Sequence, residues 1–240
     1  MQAMPLEAKI NMTAQRIRGW VDEFDEDGVY ISFSGGKDST VLVDIARNVC
    51  EYRRIPLVFV DTGLEYPEIR AFVKGYDNVE WLKPKMNFRQ VIEKYGYPFF
   101  SKEISRCIED GRKYMRRIGA GTAEQRQEVL REIWDGRYPN NLLLNLKQLF
   151  GVGKCRGGMF DRSKYLFALD APFEISNACC RVMKKSPMHE YCRKTSRKPM
   201  TAQMAEESQR RATSWLRNGC NAFDAKQPIS NPMSFWTEQD

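Results

Sequence analysis

The chain has 240 residues, a net charge of +7 and seven cysteines. It contains no apolar run of about 18 residues, so no transmembrane helix is predicted, and its first residues lack the charged-then-apolar order of a signal peptide. We therefore expect a soluble, cytoplasmic protein with no membrane partner. An odd cysteine count in a reducing compartment argues against a disulfide framework.

The apolar pattern of the first 85 residues predicts an α/β fold. Apolar residues at helical spacing over 6–24 predict an N-terminal helix that packs on the core. Three short apolar segments predict buried strands at 29–33, 56–60 and 79–82. Helices are expected between them, one running to about Cys50 and one starting near Pro67. This alternation indicates a parallel sheet covered by helices on both faces.

The remaining pattern predicts one α/β domain over residues 25–240 with a helical insertion at about 87–150. Residues 87–137 are helical and charged, and residues 141–150 are apolar and shorter. A glycine-containing loop is expected at 151–158.

The region from about 151 to 240 contains five of the cysteines and supplies a helical C-terminal extension. Within it, residues 199–202 resemble a strand that passes into a helix. Residues 235–240 resemble the start of a further helix.

The most informative motif is Ser34-Gly-Gly-Lys-Asp-Ser-Thr40, which lies between a predicted strand and a predicted helix. Glycines allow the backbone to approach a phosphate, and the free N–H groups and dipole of a helix N-terminus attract anions. Lys37 adds a full positive charge. The hydroxyls of Ser34, Ser39 and Thr40 are expected to donate further hydrogen bonds to a nucleotide or pyrophosphate.

This motif differs from the common P-loop, which is GxxxxGK[ST]. It resembles the PP-loop, SGGxDS, of the ATP pyrophosphatase (adenine nucleotide alpha hydrolase) superfamily, and the chain resembles that superfamily's phosphoadenosine-phosphosulfate (PAPS) reductase family. The resemblance implies a Rossmann-like sheet and an adenine nucleotide, ATP or PAPS, with Mg²⁺. It implies that the nucleotide is bound by the loop residues Phe33, Ser34, Gly35, Gly36, Lys37, Asp38, Ser39 and Thr40.

Lys37 and Asp38 are candidate catalytic residues. The resemblance implies that Lys37 contacts the phosphates and that Asp38 orients magnesium or the loop. Many PAPS reductases vary the lysine position, because they split no pyrophosphate bond. Its presence here favours cleavage of ATP between the α- and β-phosphates, with adenylation of a substrate.

Two further segments are candidates for the same site. Asp61, Thr62 and Gly63 follow the second predicted strand, where a carboxylate suits a ribose hydroxyl or magnesium, although a turn or N-cap aspartate is the alternative. Glu207, Ser208 and Arg211 match the family's GxRxxESxxR segment, whose glycine and first arginine are replaced here by Ala202 and Met204. Arg211 is the candidate anion clamp and catalytic residue. Surface charge on a helix is the alternative.

The cysteines suggest either a metal centre or buried packing residues. Cys179 and Cys180 resemble the paired cysteines of PAPS-reductase relatives that carry an iron–sulfur cluster, including DNA phosphorothioation sulfurtransferases. Basic neighbours are expected to lower thiol pKa values there. The candidate [4Fe–4S] ligands are Cys179, Cys180, Cys192 and Cys220, with Cys155 in reserve. Cys50 and Cys107 are expected to be packing residues.

Three functions from different classes remain open. The first is a PP-loop enzyme that adenylates a substrate, coupled or not to sulfur transfer. The second is PAPS reduction, against which the absence of the family's ECGxH motif argues; the single histidine, His189, lies outside such a motif. The third is a non-catalytic accessory protein of a defence or mobile system that binds DNA or RNA.

The third function depends on two basic clusters, at 102–117 and 181–198. A solvated basic surface is the alternative explanation for both clusters. Assembly into a homo-oligomer, or with a partner protein, is also open.

Overall fold

The structure is a computed structural model and describes residues 2–117 and 140–240. The predicted helical pattern at 118–137 lies outside these residues. In chain order the helices are α1 (Leu6–Phe24), α2 (Lys37–Asp44), α3 (Pro67–Lys74), α4 (Phe88–Tyr95), α5 (Lys102–Arg117), α6 (Asn140–Phe150), α7 (Ala178–Cys180), α8 (Ser186–Thr195) and α9 (Gln209–Asn218). The strands are β1 (Val29–Ser32), β2 (Leu57–Val60), β3 (Val79–Leu82), β4 (Lys198–Met200), β5 (Asn221–Ala222) and β6 (Ile229–Ser230).

The chain divides into two compact units. The sheet unit comprises residues up to Lys85 and from Lys184 to Asp240, and the helical unit comprises Met86–Met183. All six strands belong to the sheet unit. Both nucleotide-binding candidates near β1 and β2, and the candidate segment after β4, therefore lie in one unit.

The six strands form one mostly parallel sheet in the order β3-β2-β1-β4-β6-β5. Strand β1 is central: Ile31 is level with Leu57 of β2 on one side and with Met200 of β4 on the other, both parallel. Only β5 pairs antiparallel, with β6. The chain extends outward from β1 to β2 and β3, and later fills the other side, so the direction of winding reverses at β1. Ligands of open parallel sheets bind at such a reversal, beyond the carboxyl ends of the strands.

Helices cover both faces of the sheet, as the alternation predicts. On one face, Val29, Ile31 and Phe59 pack in the main core together with Trp20 of α1 and Leu42 of α2. On the other face, Tyr30 and Val58 pack against Tyr191 of α8. Strict alternation along β1 thus places neighbouring residues in two different cores. The predicted Rossmann-like α/β fold with a helical C-terminal region is confirmed.

The end of the chain is held against α1 by polar contacts. Trp236 Nε1 donates to Thr13 Oγ1 at 2.8 Å, and the fully buried Lys9 pairs with Asp240. Asp240 also accepts hydrogen bonds from the backbone N–H and the hydroxyl of Thr237, each at 2.8 Å. The last residues thus form turns, where the sequence pattern had suggested the start of a helix.

The helical unit has its own small core. Cys107 and Ile108 of α5 pack with Leu149 of α6 and with Ala168 and Ile175. A Cβ added at Gly111 would lie 2.5 Å from the Leu149 side chain, so glycine at this position allows α5 and α6 to approach closely. Helix α4 begins with a capping box, in which Asn87 and Gln90 exchange hydrogen bonds of 2.9 Å.

Within the described residues, no helix has both the length and the apolar character needed to cross a membrane.

Candidate nucleotide site

Three segments of the sheet unit meet at the carboxyl ends of three neighbouring strands. The PP-loop follows β1, residues 61–65 follow β2, and residues 201–211 follow β4. Because these strands are adjacent and parallel, the segments lie along one edge of the sheet, centred on the loop after β1. Sequence reasoning placed candidate residues in all three segments.

The backbone of the PP-loop requires glycine at position 35. Gly35 has a φ of +73°, and a Cβ at this position would lie 2.8 Å from Val73 Cγ2 and 2.9 Å from Ile69 Cγ2. Both contacts belong to α3, which packs against the loop. Glycine is therefore required at position 35 for two reasons, the left-handed backbone and the close packing of α3.

The hydroxyl groups of the loop mainly hold the loop itself. Ser39 and Thr40 each donate to the Gly36 carbonyl at 2.9 Å, and the Ser39 oxygen accepts from the Ser34 N–H at 3.2 Å. Ser34 Oγ lies 3.0 Å from Ser39 Oγ and accepts from the Gly36 N–H at 3.3 Å. In this structure their protons are donated within the loop, so a ligand would have to replace the Gly36 carbonyl as their acceptor, and their contact with a nucleotide stays a prediction.

The N-terminus of α2 is open to an anion. Its N-cap is Gly36, and no side chain caps the first turn, so the N–H groups of Lys37, Asp38 and Ser39 lack a capping acceptor. The Asp38 carboxylate makes no hydrogen bond or ion pair with any residue that the structure describes. These groups fit the phosphates of a nucleotide, and Asp38 fits Mg²⁺, which commonly binds one or two carboxylates together with phosphate oxygens.

Lys37 pairs with Glu238 near the end of the chain, and both side chains are largely exposed. The hydrogen bond to Glu238 raises the pKa of Lys37, so the ammonium form is reinforced. The Glu238 carboxylate thus pairs with the Lys37 ammonium, and the phosphate oxygens of a ligand would have to compete with that carboxylate for the lysine.

Asp61 is buried, and each of its carboxylate oxygens has a partner. One carboxylate oxygen accepts from the Gly63 N–H at 3.1 Å, and the other pairs with Arg70 at 2.9 Å. Thr62 donates its N–H and its hydroxyl to the Glu65 carboxylate, at 2.9 and 2.7 Å. Asp61 therefore shapes the turn after β2, which supports the turn alternative of the sequence analysis, and it neutralises Arg70 beside the loop.

The segment after β4 is also internally bonded. Ser208 is the N-cap of α9 and accepts from the Arg211 N–H at 3.3 Å, while Glu207 accepts from the Met204 N–H at 3.0 Å. Arg211 forms an ion pair with Glu207. To bind an anion as predicted, the Arg211 guanidinium would have to break its ion pair with Glu207.

Phe33 lies in the core, where its ring centroid is 4.9 Å from that of Tyr76. Its side chain is a packing residue and only its backbone borders the loop, so the predicted part of Phe33 in nucleotide binding stays a prediction for its backbone. Its role in positioning the loop follows from its N–H, which donates to the Val58 carbonyl at 3.0 Å.

The four candidate cluster ligands are not brought together. Cys192 lies 3.2 Å from the Tyr30 hydroxyl on one face of the sheet, whereas Cys220 is buried in the main core on the opposite face. Two thiols separated by a sheet do not fit a shared [4Fe–4S] cluster. The described parts of the chain also contain no group of three or more His, Cys, Asp or Glu side chains that could hold a metal ion.

The expected lowering of thiol pKa values is not found at Cys179. Burial raises its pKa, and the neighbouring Cys180 raises it further. The predicted packing role of Cys50 and Cys107 agrees with their burial. Burial also raises the pKa of Cys107 to about 11, which makes that thiol a poor nucleophile.

Sequence reasoning did not identify Arg70, Glu65 or Glu238. Arg70 lies one turn after Pro67 in α3. A helix predicted to start near Pro67 would place this arginine near the Asp61 turn, and that was the available signal. Glu65 follows Thr62 by three residues, which is the spacing of a local side-chain cap. Glu238 is about 200 residues from Lys37, and no local pattern connects the two.

Comparison with known proteins bears on this geometry. Residues 28–113 match the family model of the phosphoadenosine phosphosulfate reductase domain. The match covers about a third of the chain, and the similarity to this domain is limited to these residues. The match includes β1, the PP-loop and the Asp61 turn, and it confirms the resemblance inferred from the motif.

A relative is an uncharacterized protein of Methanocaldococcus jannaschii. It is 36% identical to the chain over 96 residues, which cover 36% of this chain and 22% of the relative. The chain therefore spans less than a quarter of the length of that protein, and the similarity concerns one segment.

Replacing Glu238 is expected to strengthen nucleotide binding. In Glu238→Gln, Lys37 keeps a hydrogen-bonding neighbour but loses the competing charge, so we expect ATP to bind about two- to fivefold more tightly, the range of an exposed ion pair. Calorimetric titration at low salt measures this. Glu23→Gln, the same charge change at an exposed position of α1, is the control. Equal or weaker binding by Glu238→Gln contradicts the competition.

Proposed function

We propose that the sheet unit binds ATP at the PP-loop and transfers the adenylyl group to a substrate, with release of pyrophosphate. The observation that carries this proposal is the uncapped N-terminus of α2, with Lys37 in its first turn, at the strand where the winding of the sheet reverses. The PAPS reductase-like domain supports an adenine nucleotide as the ligand. The retained lysine supports cleavage of a pyrophosphate bond.

In the proposed reaction, a nucleophilic oxygen of the substrate attacks the α-phosphorus. The bond between the α-phosphorus and the α,β-bridging oxygen breaks, and the electron pair leaves with pyrophosphate. A substrate adenylate is formed. Negative charge develops on the leaving pyrophosphate, and stabilising that charge is the main task of the loop.

The chain supplies that stabilisation from fixed groups. The N–H groups of Lys37, Asp38 and Ser39 and the dipole of α2 face the phosphates, and the Lys37 ammonium adds a full charge once it leaves Glu238. The internal hydrogen bonds of Ser34, Ser39 and Thr40 hold these donors before the ligand arrives, so little reorganisation is needed.

Asp38 is the residue that would hold Mg²⁺ together with phosphate oxygens. When bound, that ion neutralises phosphate charge and polarises the phosphorus centre. Asp61 is proposed to act through the backbone: its bonds to Arg70 and to the Gly63 N–H fix the turn after β2.

PAPS reduction is the second candidate, supported by the name of the matched domain. It differs from adenylation in product, since it yields sulfite and consumes a thiol reductant. In the thioredoxin-dependent family the cysteine that this reaction uses lies in an ECGxH motif, and the 240 residues contain no such motif. Coupling of the adenylate to sulfur transfer is a further step, and the separated cysteines supply no geometric support for it.

The two candidates are distinguished by one set of incubations. The chain is supplied in parallel with ATP and Mg²⁺ plus a panel of hydroxyl and carboxylate acceptors, and with PAPS and reduced thioredoxin. We expect AMP or an adenylate together with pyrophosphate from ATP, and no sulfite from PAPS. Release of ADP and phosphate, or sulfite as the main product, would contradict adenylation.

A further inference from the structure

The helical unit carries a continuous group of aromatic rings, called here the aromatic ladder: Tyr97, Phe99, Phe100, Tyr165, Phe167 and Phe173. Neighbouring rings are in contact. The Phe173 ring centroid lies 5.5 Å from those of both Tyr97 and Phe99, and the Phe100 centroid lies 4.9 Å from Phe99 and 5.0 Å from Tyr165. Phe167 joins the ladder through Phe100 at 6.2 Å.

Three of these rings are unusually open to solvent. Tyr97 is 47% exposed, Phe99 is 61% exposed and Phe167 is 66% exposed. Large apolar side chains that are exposed together mark an interaction surface more often than isolated ones do. The ladder belongs to the helical unit, whereas the segments of the candidate nucleotide site belong to the sheet unit.

The backbone that carries the ladder is fixed from beneath. The buried Arg112 of α5 donates hydrogen bonds to the carbonyls of Ala168, Ala171 and Phe173, at 2.6 to 2.9 Å. The Tyr97 N–H donates to the Glu174 carbonyl at 2.7 Å. The exposed rings are therefore presented by an ordered scaffold, which lowers the entropic cost of binding.

The helical unit that carries the ladder is basic. Residues 86–117 and 140–183 contain fourteen Lys and Arg against seven Asp and Glu, an excess equal to the net charge of the whole chain. Lys164 lies over the Tyr165 ring at 5.2 Å, Lys94 lies over the Tyr95 ring at 5.5 Å, and Lys102 follows Phe100 by two residues.

The lysines and the acids near the ladder differ in their pairing. In the described parts of the chain, no carboxylate lies within ion-pair distance of Lys94, Lys102 or Lys164. The acids Glu103 and Glu174 are instead paired, with Arg162 and Arg116. The lysines are thus available for an anionic partner.

We propose that the aromatic ladder binds single-stranded nucleic acid. Exposed rings flanked by cations are the combination that such strands require, because bases stack on the rings and the phosphates pair with the lysines. An apolar protein partner would use the rings but leave three lysines without a counter-charge. Duplex DNA would use the lysines but present its bases already stacked. This surface is separate from the proposed adenylation, and neither depends on the other.

The binding test uses the full chain and a labelled oligothymidylate of about 20 nucleotides, long enough for several stacking positions. Fluorescence anisotropy at about 50 mM and about 200 mM salt gives the affinity and its salt dependence. We expect salt-sensitive binding of the single strand and much weaker binding of a duplex of equal length. No binding at low salt, or equal binding of the duplex, would overturn the proposal.

Two sets of variants locate the surface. The double variant Phe99→Ala/Phe167→Ala should weaken binding about 100-fold, at about tenfold for each stacked base. Leu216→Ala, a strongly exposed apolar residue of the sheet unit, should bind like the unmodified chain. Lys102→Gln should reduce the slope of log affinity against log salt by about 0.7, as expected for one phosphate contact on a single strand.

Unchanged binding by the double ring variant would overturn the proposal. So would a change confined to self-association, measured by sedimentation, since the ladder would then contact a second protein copy. ATP binding is measured on the same samples and should not respond to the ring variants. Failure at the ladder is thereby distinguished from failure at the PP-loop.

Discussion

Lys37→Ala is expected to reduce pyrophosphate release from ATP by about 100-fold or more, the usual effect of removing a group that stabilises developing charge. The lysine supplies the only full positive charge within the motif itself, and the N–H groups of α2 supply the rest. Because Lys37 is largely exposed and, within residues 2–117 and 140–240, pairs only with the exposed Glu238, the variant should fold as before. Initial rates with saturating ATP and Mg²⁺ measure the effect, and thermal unfolding verifies the fold.

Lys226→Ala is the matched control, since it removes an exposed lysine of the same unit from the loop that precedes β6, at the amino ends of the parallel strands and so opposite the PP-loop. Its rate should equal that of the unmodified chain. Lys37→Arg separates charge from geometry: it keeps the positive charge but places a planar fork where a compact ammonium fits. Loss of a charge–phosphate contact should slow the reaction by more than about threefold. If the rate of Lys37→Ala is within about threefold of the unmodified rate, the proposed role of the loop in the reaction is contradicted.

Gly35→Ala is expected to disrupt the loop and destabilise the sheet unit by about 2–4 kcal/mol. Part of this cost is the left-handed backbone, and part is the overlap of the new methyl group with Ile69 and Val73. For a chain of this length, we expect the melting temperature to fall by about 10 °C. ATP binding should weaken in parallel, because α3 or the loop must move to accept the methyl group.

Gly63→Ala is a built-in comparison for this variant. Gly63 also has a positive φ, +79°, but no atom lies within 4 Å of the Cβ that alanine would add. It should therefore show only the backbone cost, about 1–2 kcal/mol. Equal destabilisation by the two variants would show that contact with α3 is not what requires glycine at position 35.

Much of the sheet unit could be predicted from local sequence. The predicted helix at 6–24 corresponds to α1, and the three predicted strands correspond to β1, β2 and β3 within one residue at each end. These elements depend on hydrophobic periodicity and on glycine or proline at their ends, which are local properties. The PP-loop was identified for the same reason, since its seven residues are contiguous.

The roles of individual site residues could not be predicted in this way. Asp61 was expected either to face a ribose or magnesium or to hold a turn, and the structure shows its bonds to Arg70 and to the Gly63 N–H. The Ser39 and Thr40 hydroxyls were expected to face a ligand, and the structure shows that both donate to the Gly36 carbonyl. A polar group bonds to whichever partner the folded backbone brings nearest, and spacing alone does not identify that partner.

The sequence by itself therefore determined the fold class, the PP-loop motif and the similarity of residues 28–113 to the phosphoadenosine phosphosulfate reductase domain, because each is encoded in a contiguous stretch. Only the tertiary structure decided that Glu238 pairs with Lys37, that Cys192 and Cys220 lie on opposite faces of the sheet, and that six rings, three of them exposed, form one ladder. Each of these relationships involves residues that are distant in the sequence. Their positions relative to one another are set by the fold, including the face of the sheet on which a side chain lies, and no local sequence pattern encodes them.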